Sequence, residues 1–182
     1  MNDIERFLTD CISYCPCTGL IKWKKDIPHR YYKSNRSKGC FKKSLGSVAG
    51  YRKVRDKQCT DYIEVKSLGF RFLAHRAAWF LMMGNWPEIV DHVDHNGMNN
   101  KWSNLRASNK RENARNMKLS SSNTSGFTGV FFEKRRGKWR SEIMVDGKNI
   151  FLGLYTDKAD AIASRMNANS ANLFHRNHGI NL

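Results

Sequence analysis

The segment 90–113 constrains the fold more than any other part of this 182-residue sequence. Carboxylate, imidazole and carboxamide side chains recur there, at Asp91, His92, Asp94, His95, Asn96, Asn99, Asn100, Asn104, Asn109 and Asn113. Oxygen donors of these types suit a hard divalent cation, and a neutral imidazole can accept a proton from water near neutral pH. The segment therefore predicts a polar site that holds one cation beside a general base, as hydrolysis of a phosphodiester requires.

The pattern of apolar and turn-forming residues predicts the local structure of this segment. Apolar residues flank Asp91 and His92, which indicates a short strand whose successive side chains point to opposite faces. Asn96-Gly97 predicts a tight turn, because both residues accept positive φ. Residues 105–107 are then expected to form a return strand.

A helix is expected directly after the return strand. Ser108 or Asn109 can cap its first turn, and Glu112 stands in the capping-box position relative to Asn109. Asn113 then falls within the first helical turns and can reach back toward Asp91. The expected unit is strand, loop, strand and helix, with its polar groups converging at one end.

In the order and spacing of these residues, the segment resembles the HNH endonucleases of the phage and intron-associated homing type. Their signature runs Asp-His-Ile-Asp-x-Asn-x-x-Asn-Asn-x-x-x-Asn-Leu-Arg. The resemblance implies a ββα-metal fold that binds one Mg²⁺ or Mn²⁺ ion per active site. The implied roles are general base for His92, fixing of the loop that carries this base for Asn104, and metal ligand for Asp91 and Asn113. His95 stands where the pattern usually has glycine.

The net charge of the chain points to a polyanionic partner. The 32 Lys and Arg residues against 16 Asp and Glu residues give a formal net charge of +16. Such a surplus favours nucleic acid, with binding that weakens steeply as salt rises. Between residues 22 and 57, basic residues are interleaved with aromatic ones, which is typical of a surface that tracks DNA. Double-stranded DNA is the predicted partner.

The sequence predicts a cytoplasmic protein, in the host-cell cytoplasm if the gene is carried by a phage. No apolar run approaches the roughly 18 residues that a membrane helix requires, so no membrane partner is expected. The first residues are acidic where a secretory signal would be basic. The five cysteines all lie in the first third of the chain, and their odd number and spacing favour reduced thiols over a zinc site.

A hairpin and a helix are expected just before the polar segment. Residues 62–65 and 70–73 alternate in polarity like the two strands of a hairpin. The helix that follows opens at His75-Arg76, a pair that also occurs ahead of such a helix in HNH proteins. Arg76 and Arg106 are predicted to contact DNA, Arg76 by reaching a phosphate while its helix packs.

The composition changes after the polar segment. Residues 119–125 are mostly small, polar and uncharged, which predicts a flexible linker. Beyond the linker the pattern predicts three strands and a helix, at residues 129–133, 138–145 and 150–155 and from Thr156 or Asp157 to about Phe174. One face of the second strand is expected to pack on this helix through Ala159, Ile162, Ala163 and Met166. The other face is expected to be exposed.

This C-terminal segment resembles the APETALA-type DNA-binding domain of plant ethylene-response factors. The residues that carry the resemblance are 125–130, 137–143, 151–155 and the Ala-rich helix. In that family the exposed sheet face lies in the major groove, which implies that Arg140, Glu142 and Phe151 face DNA. It also implies contacts to phosphates or bases from Lys134, Arg135, Arg136 and Lys138. Phe131 and Phe132 depart from the plant pattern, so the resemblance does not transfer the plant site preference.

Together these observations predict an α+β protein of two parts. The expected parts are a basic region with an HNH nuclease domain over 1–118, a linker over 119–125, and a DNA-binding domain over 126–182 in which a three-stranded antiparallel sheet packs on one helix. The predicted function is metal-dependent, homing-type endonucleolytic hydrolysis of DNA. A single site per chain favours nicking by a monomer, or cleavage of both strands by a homodimer. The alternatives are a non-enzymatic sequence-specific DNA-binding regulator and an RNA-processing nuclease or packaging factor.

Overall fold

The structure is a computed structural model that describes residues 1–32, 44–54 and 61–179. The chain divides into two compact units, Met1–Ala107 and Ser108–Leu182. Much of the basic and aromatic stretch between residues 22 and 57 lies outside the described residues, so its predicted contact with DNA stays a prediction.

The described residues form helices and small sheets in both units. The elements are α1 (Asp3–Cys11), β1 (Ile12–Tyr14), β2 (Ile21–Trp23), β3 (Tyr51–Lys53), β4 (Tyr62–Ser67), β5 (Phe70–Leu73), α2 (Ala74–Met83), β6 (Ile89–His92), β7 (Leu105–Ser108), α3 (Lys110–Ala114), β8 (Val130–Glu133), β9 (Lys138–Val145), β10 (Lys148–Tyr155) and α4 (Lys158–Ala171). Every strand belongs to a two- or three-stranded sheet. The protein is therefore a mixed one, with helices and several small sheets, as the α+β prediction requires.

The core of the first unit forms where α1 packs on the strands and on α2. This helix begins with a capping box, in which the Asn2 side chain accepts a hydrogen bond from the Glu5 amide and the Glu5 side chain accepts one from the Asn2 amide. Phe7 is fully buried and stacks on Phe70 with ring centroids 4.1 Å apart. Burial of a phenylalanine contributes roughly 1.5–3 kcal/mol, so this contact ties α1 to β5.

A three-stranded antiparallel sheet in the order β3-β4-β5 leads into α2. The predicted hairpin is confirmed, with its turn at Leu68-Gly69. Both turn residues have positive φ, 52° and 87°, as a two-residue turn between twisted strands requires. Because α2 starts immediately after β5, His75 and Arg76 lie in its first turn.

Strands β6 and β7 pair in a two-stranded sheet, and α3 follows. The N-terminus of α3 is capped as expected, because the Asn109 side chain accepts from the Glu112 amide and the Glu112 side chain accepts from the Asn109 amide. The expected order of strand, loop, strand and helix is present. The metal-bound arrangement that the name ββα-metal describes stays a prediction.

The second unit contains an antiparallel sheet in the order β10-β9-β8, against which α4 packs. The predicted contact face of this helix is wrong for three of its four residues. Ala159, Ala163 and Met166 are exposed and Ile162 is half-buried, whereas Ala161 and Arg165 are buried. The Arg165 guanidinium donates a 2.7 Å hydrogen bond to the carbonyl oxygen of Glu142 on β9. An apolar periodicity could not reveal this face, because a charged residue occupies its centre.

Residues 119–125 do not separate two compact units, because the division falls near residue 107 and this stretch lies inside the second unit. Ser120, Ser121, Ser122 and Thr124 of this stretch are exposed, while Asn123 and Ser125 bond locally. The Ser125 hydroxyl donates to the carbonyl of Phe127 at 2.9 Å, and the Asn123 carboxamide donates to the same oxygen at 3.1 Å. The functional assignment of residues 1–118 and 126–182 stays a prediction.

The structure tests the predictions about membrane helices and cysteines only for the described residues. No helix of the described residues is long and apolar enough to cross a membrane. Cys11, Cys15 and Cys17 are free thiols, and Cys40 and Cys59 lie outside the described residues. The cytoplasmic location stays a prediction.

Glu64 of β4 is a buried acid that the surrounding strands neutralise. Its side chain accepts hydrogen bonds from Lys53 Nζ and Arg71 Nε at 2.9 Å and from the Tyr51 hydroxyl at 2.7 Å. Glu64 is only 5% exposed. The bonds from Lys53, Tyr51 and Arg71 lower the pKa of Glu64 from 4.5 to about 2. Three partners from both neighbouring strands thus hold one carboxylate at the middle of the sheet.

We expect Glu64 to make the stability of the first unit depend on acid pH. A group whose pKa is lowered in the folded state stabilises the fold above its unfolded pKa, so this contribution should disappear as the pH falls from 4.5 to about 2. Glu64→Gln should remove the pH dependence of the unfolding free energy in that window and lower the unfolding midpoint at neutral pH. Chemical denaturation measured across this range tests this. Glu88→Gln, at an exposed glutamate, should behave as wild type.

Candidate active site

Asp91, near the end of β6, is held in an ion pair across the two-stranded sheet. Arg106 of β7 donates from Nε and Nη2 to Asp91 Oδ2, at 3.0 and 2.8 Å. The Asp91 side chain is 11% exposed, and the guanidinium compensates its charge. Arg106, predicted to contact DNA, thus lies beside a predicted metal ligand and orients its carboxylate.

His92, the next residue, points to the opposite face and is buried, with 5% exposure. Its Nε2 lies 2.9 Å from Oδ1 of Asn100. Burial lowers the pKa of His92 below 6.5, although the Asn100 hydrogen bond and the charges of Asp94 and Asp91 act to raise it. The ring is therefore neutral at physiological pH, which is the form that can accept a proton.

Two rings, of His75 and Tyr62, lie against the His92 imidazole. The centroid of His75, on α2, lies 5.0 Å from that of His92, with the ring planes 75° apart. Tyr62 of β4 lies 5.1 Å from His75 and 5.9 Å from His92. These rings exclude water from one side of the imidazole, which accounts for its burial. Sequence reasoning noted His75 only as the start of a helix, and no sequence signal linked Tyr62 to the site.

Asn104 fastens the loop that follows His92. Its Oδ1 accepts from the Asp94 amide at 3.0 Å, and its Nδ2 donates to Asp94 Oδ1 and to the carbonyl of Asn99, both at 2.8 Å. Its backbone carbonyl accepts from the Val93 amide at 2.9 Å. The Asn104 residue is 7% exposed, so one buried carboxamide ties both ends of the loop together. The role in catalysis that the HNH resemblance implies for Asn104 stays a prediction.

Asp94 is the hydrogen-bond acceptor at the centre of this loop. Its Oδ1 also accepts from the Asn96 amide, and its Oδ2 accepts from the Asn99 side chain at 2.7 Å. Burial raises the pKa of Asp94, but hydrogen bonds from Asn99, Asn96 and Asn104 outweigh this effect and hold the pKa below its usual value. The carboxylate therefore serves the loop, in agreement with the turn role that its sequence position indicates.

The predicted tight turn at Asn96-Gly97 is wrong in one respect. Neither residue has positive φ, and the left-handed residue of the loop is His95, with φ of 62°. His95 occupies the position that the HNH pattern usually fills with glycine, which adopts this conformation without strain. This chain thus places a histidine in the left-handed conformation at the position where the pattern that it resembles usually has glycine.

The hairpin of β1 and β2 packs on the same loop, a contact that sequence reasoning missed. The Tyr14 hydroxyl donates to the carbonyl of Asn100 at 2.7 Å, and the Trp102 amide donates to the carbonyl of Pro16 at 2.9 Å. Gly19 lies so close that an added Cβ would sit 2.5 Å from the Asn100 carbonyl carbon. The N-terminal residues therefore form part of the site's support.

Arg76 and Asn113 are two other residues with predicted roles, and they lie on helices α2 and α3. The Arg76 guanidinium donates to the carbonyls of Pro87 and Glu88, at 3.4 and 3.3 Å, and lies over the Trp86 ring. It thus holds the segment that enters β6, and its predicted contact with a phosphate stays a prediction. Asn113 lies in α3 of the second unit, and its role as a metal ligand also stays a prediction.

The residues predicted to bind DNA in the second unit lie on strands β9 and β10 and in the turn between β8 and β9. Arg140 lies over the rings of Phe131 and Phe151, at 5.7 and 5.2 Å, and pairs with Glu142 at 3.1 Å. Phe151 is 53% exposed. The turn between β8 and β9 is basic and exposed, and it contains or adjoins Lys134, Arg135, Arg136 and Lys138. The sheet therefore presents an aromatic and charged face, as expected.

The donor set at Asp91 fits a hard divalent ion. Mg²⁺ prefers oxygen ligands and commonly keeps several waters beside one or two protein ligands, so one carboxylate and one carboxamide oxygen suffice. Among the described residues, no group of three or more His, Cys, Asp or Glu side chains could hold a metal. A shell of one Asp and one Asn does not require such a group, and the shell predicted from Asp91 and Asn113 stays a prediction.

Comparison with known proteins supports the interpretation of this site. Residues 72–115 match the family model described as HNH endonuclease. An HNH endonuclease domain lies here. The chain is also 38% identical to Protein 3.8 of Escherichia phage T7 over 76 residues, which are 41% of this chain and 63% of that protein. The match thus spans less than two thirds of the phage relative. No solved structure matches the chain.

The matched segment contains every residue to which the resemblance gave a catalytic or metal-binding role, namely Asp91, His92, Asn104 and Asn113. The HNH resemblance is confirmed for this segment. The individual roles of the four residues stay predictions. The family match ends at residue 115, so the likeness of residues 126–182 to the APETALA type also stays a prediction.

We expect the Arg106–Asp91 pair to stabilise the protein. Arg106→Gln would leave a largely buried carboxylate without its charged partner, which typically costs about 1–3 kcal/mol. The free energy of unfolding, measured by urea titration, should fall by that amount. Arg111→Gln, which breaks an exposed pair with Asp146, should change it by less than about 1 kcal/mol. Equal effects of the two substitutions would contradict the structural importance of the Arg106 pair.

Proposed function

We propose that this protein is a metal-dependent DNA endonuclease whose general base is His92. The observation that carries the proposal is a buried imidazole, whose pKa burial lowers, adjacent to an oriented carboxylate within a segment that matches the HNH endonuclease family. The net charge of +16 suits a polyanionic substrate. Double-stranded DNA is the proposed substrate.

The proposed reaction is hydrolysis of one phosphodiester. His92 takes a proton from a water molecule, the water oxygen bonds to phosphorus, and the bond from phosphorus to the 3′ oxygen breaks. The 3′ oxygen then takes up a proton from solvent, which leaves 5′-phosphate and 3′-hydroxyl ends. Mg²⁺ or Mn²⁺, held by Asp91 and Asn113, would offset the charge that builds up on the phosphate and the leaving oxygen.

The other residues of the site would act by keeping these groups in place. Arg106 orients the Asp91 carboxylate through two hydrogen bonds. Asn104 ties the loop after His92 through its bonds to Asp94 and Asn99. Because these contacts exist before any substrate arrives, the site needs little rearrangement during the reaction.

The second unit would hold the enzyme on its DNA. The support is an exposed sheet face in which Arg140 lies between Phe131 and Phe151, next to a basic turn. We propose that Arg140, Glu142 and Phe151 face the major groove and that the turn residues neutralise phosphates, as the APETALA resemblance implies. Arg76 would contact a phosphate from the first unit. A single site per chain fits homing-type nicking by a monomer, and a homodimer would cut both strands.

His92→Ala tests the catalytic proposal. Loss of a general base typically slows a reaction by roughly 10²–10⁴-fold, whereas one neutral imidazole adds little to DNA affinity. Plasmid cleavage with Mg²⁺ or Mn²⁺ should slow by that factor, while the Kd for the same DNA should stay close to wild type. The exposed His29 provides the matched control, because His29→Ala should cleave normally. Cleavage in excess EDTA, or at full rate by His92→Ala, would contradict the mechanism.

Neutralising the basic turn tests the proposed role of the second unit. Substitution of Lys134, Arg135, Arg136 and Lys138 by Gln should weaken DNA binding and make the log–log salt dependence of the binding constant shallower by about 0.9 for each lost phosphate contact. The single-turnover cleavage rate at saturating DNA should not change. Lys66→Gln and Lys101→Gln, at exposed lysines of the first unit, provide a comparison. An unchanged salt slope in the turn variant would contradict the proposed binding face.

A further inference from the structure

Asn100 forms a hydrogen bond with His92, and the HNH resemblance assigned this asparagine no role. It lies in the loop between β6 and β7 and is 2% exposed. Its Oδ1 is 2.9 Å from His92 Nε2. Its Nδ2 is buried and has no hydrogen-bond partner among the described residues. The carboxamide therefore engages the histidine through its oxygen.

This contact determines which ring nitrogen carries the proton. A carboxamide oxygen can only accept a hydrogen bond, so His92 Nε2 must donate, and the lone pair of the neutral ring is then on Nδ1. We propose that Asn100 is a positioning residue that selects this tautomer, so that Nδ1 of His92 is the atom that takes the proton from water. The inference rests on the proposed function, in which His92 is the general base.

The same bond also suits the charged ring that proton transfer produces. Once Nδ1 has taken the proton, both ring nitrogens carry hydrogen, and Nε2–H keeps the acceptor that it already had. The hydrogen bond then becomes charge-assisted and therefore stronger. With the opposite orientation of the amide, Nδ2 would donate to Nε2 and occupy the lone pair that a base requires. A carboxamide oxygen at this position thus supports both protonation states of the reaction.

The first unit fixes Asn100 from its backbone side. The Tyr14 hydroxyl donates to the Asn100 carbonyl at 2.7 Å, and Asn104 Nδ2 donates to the neighbouring Asn99 carbonyl at 2.8 Å. Gly19, with φ of 75°, packs so closely on the Asn100 carbonyl carbon that no side chain would fit between them. The β1–β2 hairpin therefore limits the movement of Asn100, and the 2.9 Å contact is held from both sides.

Three substitutions test the proposal. Asn100→Asp keeps an oxygen acceptor opposite Nε2, and it replaces the NH₂ group, which lacks a partner among the described residues, with a second oxygen that adds a negative charge. Asn100→Leu has a similar shape but no acceptor. Tyr14→Phe keeps the ring and removes the bond to the Asn100 carbonyl. The matched control is Tyr155→Phe, which removes a 3.2 Å bond to the carbonyl of Leu152 in the second unit.

The first readout is ¹⁵N NMR of the histidine rings in the full-length protein without DNA. Wild type and Asn100→Asp should show neutral His92 protonated at Nε2, and Asn100→Leu should show a mixture of the two tautomers. A wild-type ring protonated at Nδ1, or an unchanged tautomer in Asn100→Leu, would overturn the proposal. If Asn100→Leu fails to fold, the wild-type tautomer alone decides.

The second readout is cleavage kinetics. Loss of an outer partner of a catalytic group typically costs about 10–100-fold in activity, so Asn100→Leu should lower kcat by that factor without changing KM. Asn100→Asp should recover most of this loss, and Tyr14→Phe should fall between Asn100→Leu and wild type. Tyr155→Phe should match wild type. In a His92→Ala background, Asn100→Leu should cause no further loss, because the two residues act as one unit.

The two readouts separate failure of this inference from failure of the proposed function. If wild-type protein cleaves no DNA with Mg²⁺ or Mn²⁺, the proposed function fails, and the proposal that His92 Nδ1 is the base fails with it, whatever the NMR shows. If wild type cleaves but Asn100→Asp is as slow as Asn100→Leu, or Asn100→Leu is as fast as wild type, only the role of Asn100 is overturned.

Discussion

The site depends on burying a polar loop without leaving its polar groups unpaired. The loop between β6 and β7 contains mostly groups that water would otherwise solvate, and buried groups of this kind must find partners within the protein. Asn104 meets most of this requirement with one carboxamide, which bonds to Asp94 and to the Asn99 carbonyl. Because these bonds hold the loop in one shape, Asn100 can stand at a fixed distance from His92.

The same burial gives two neighbouring residues opposite electrostatic surroundings. His92 lies among the rings of His75 and Tyr62, where the loss of water lowers its pKa and keeps the ring neutral. Asp91, on the other face of β6, meets the guanidinium of Arg106, which compensates a carboxylate charge. A strand whose side chains alternate between two faces can thus supply a base on one side and an anionic ligand on the other.

The second unit presents different chemistry on its sheet. The buried face of the sheet carries Ser141 and Ile143 and packs on Arg165 of α4. The guanidinium of this arginine donates to the Glu142 carbonyl. The other face of the sheet carries Arg140 between two exposed phenylalanines. Such a face is suited to stacking and phosphate contacts, whereas the first unit has its polar groups buried around a single loop. This difference underlies the proposal that the sheet of the second unit holds DNA, while the loop between β6 and β7 supports the general base.

The sequence by itself determined the features that depend on neighbours along the chain. These are the strands, the Asn109 capping box and the spacing that brings the HNH residues into order. The tertiary structure decided which side chains meet across the chain. It brought Tyr14, Tyr62 and His75 to the loop and paired Arg106 with Asp91. It also buried Arg165 where the helix packs on the sheet, a contact that the sequence pattern had assigned to Ala159, Ile162, Ala163 and Met166. Local propensity carries no information on contacts between distant residues, because these depend on how complete elements pack together.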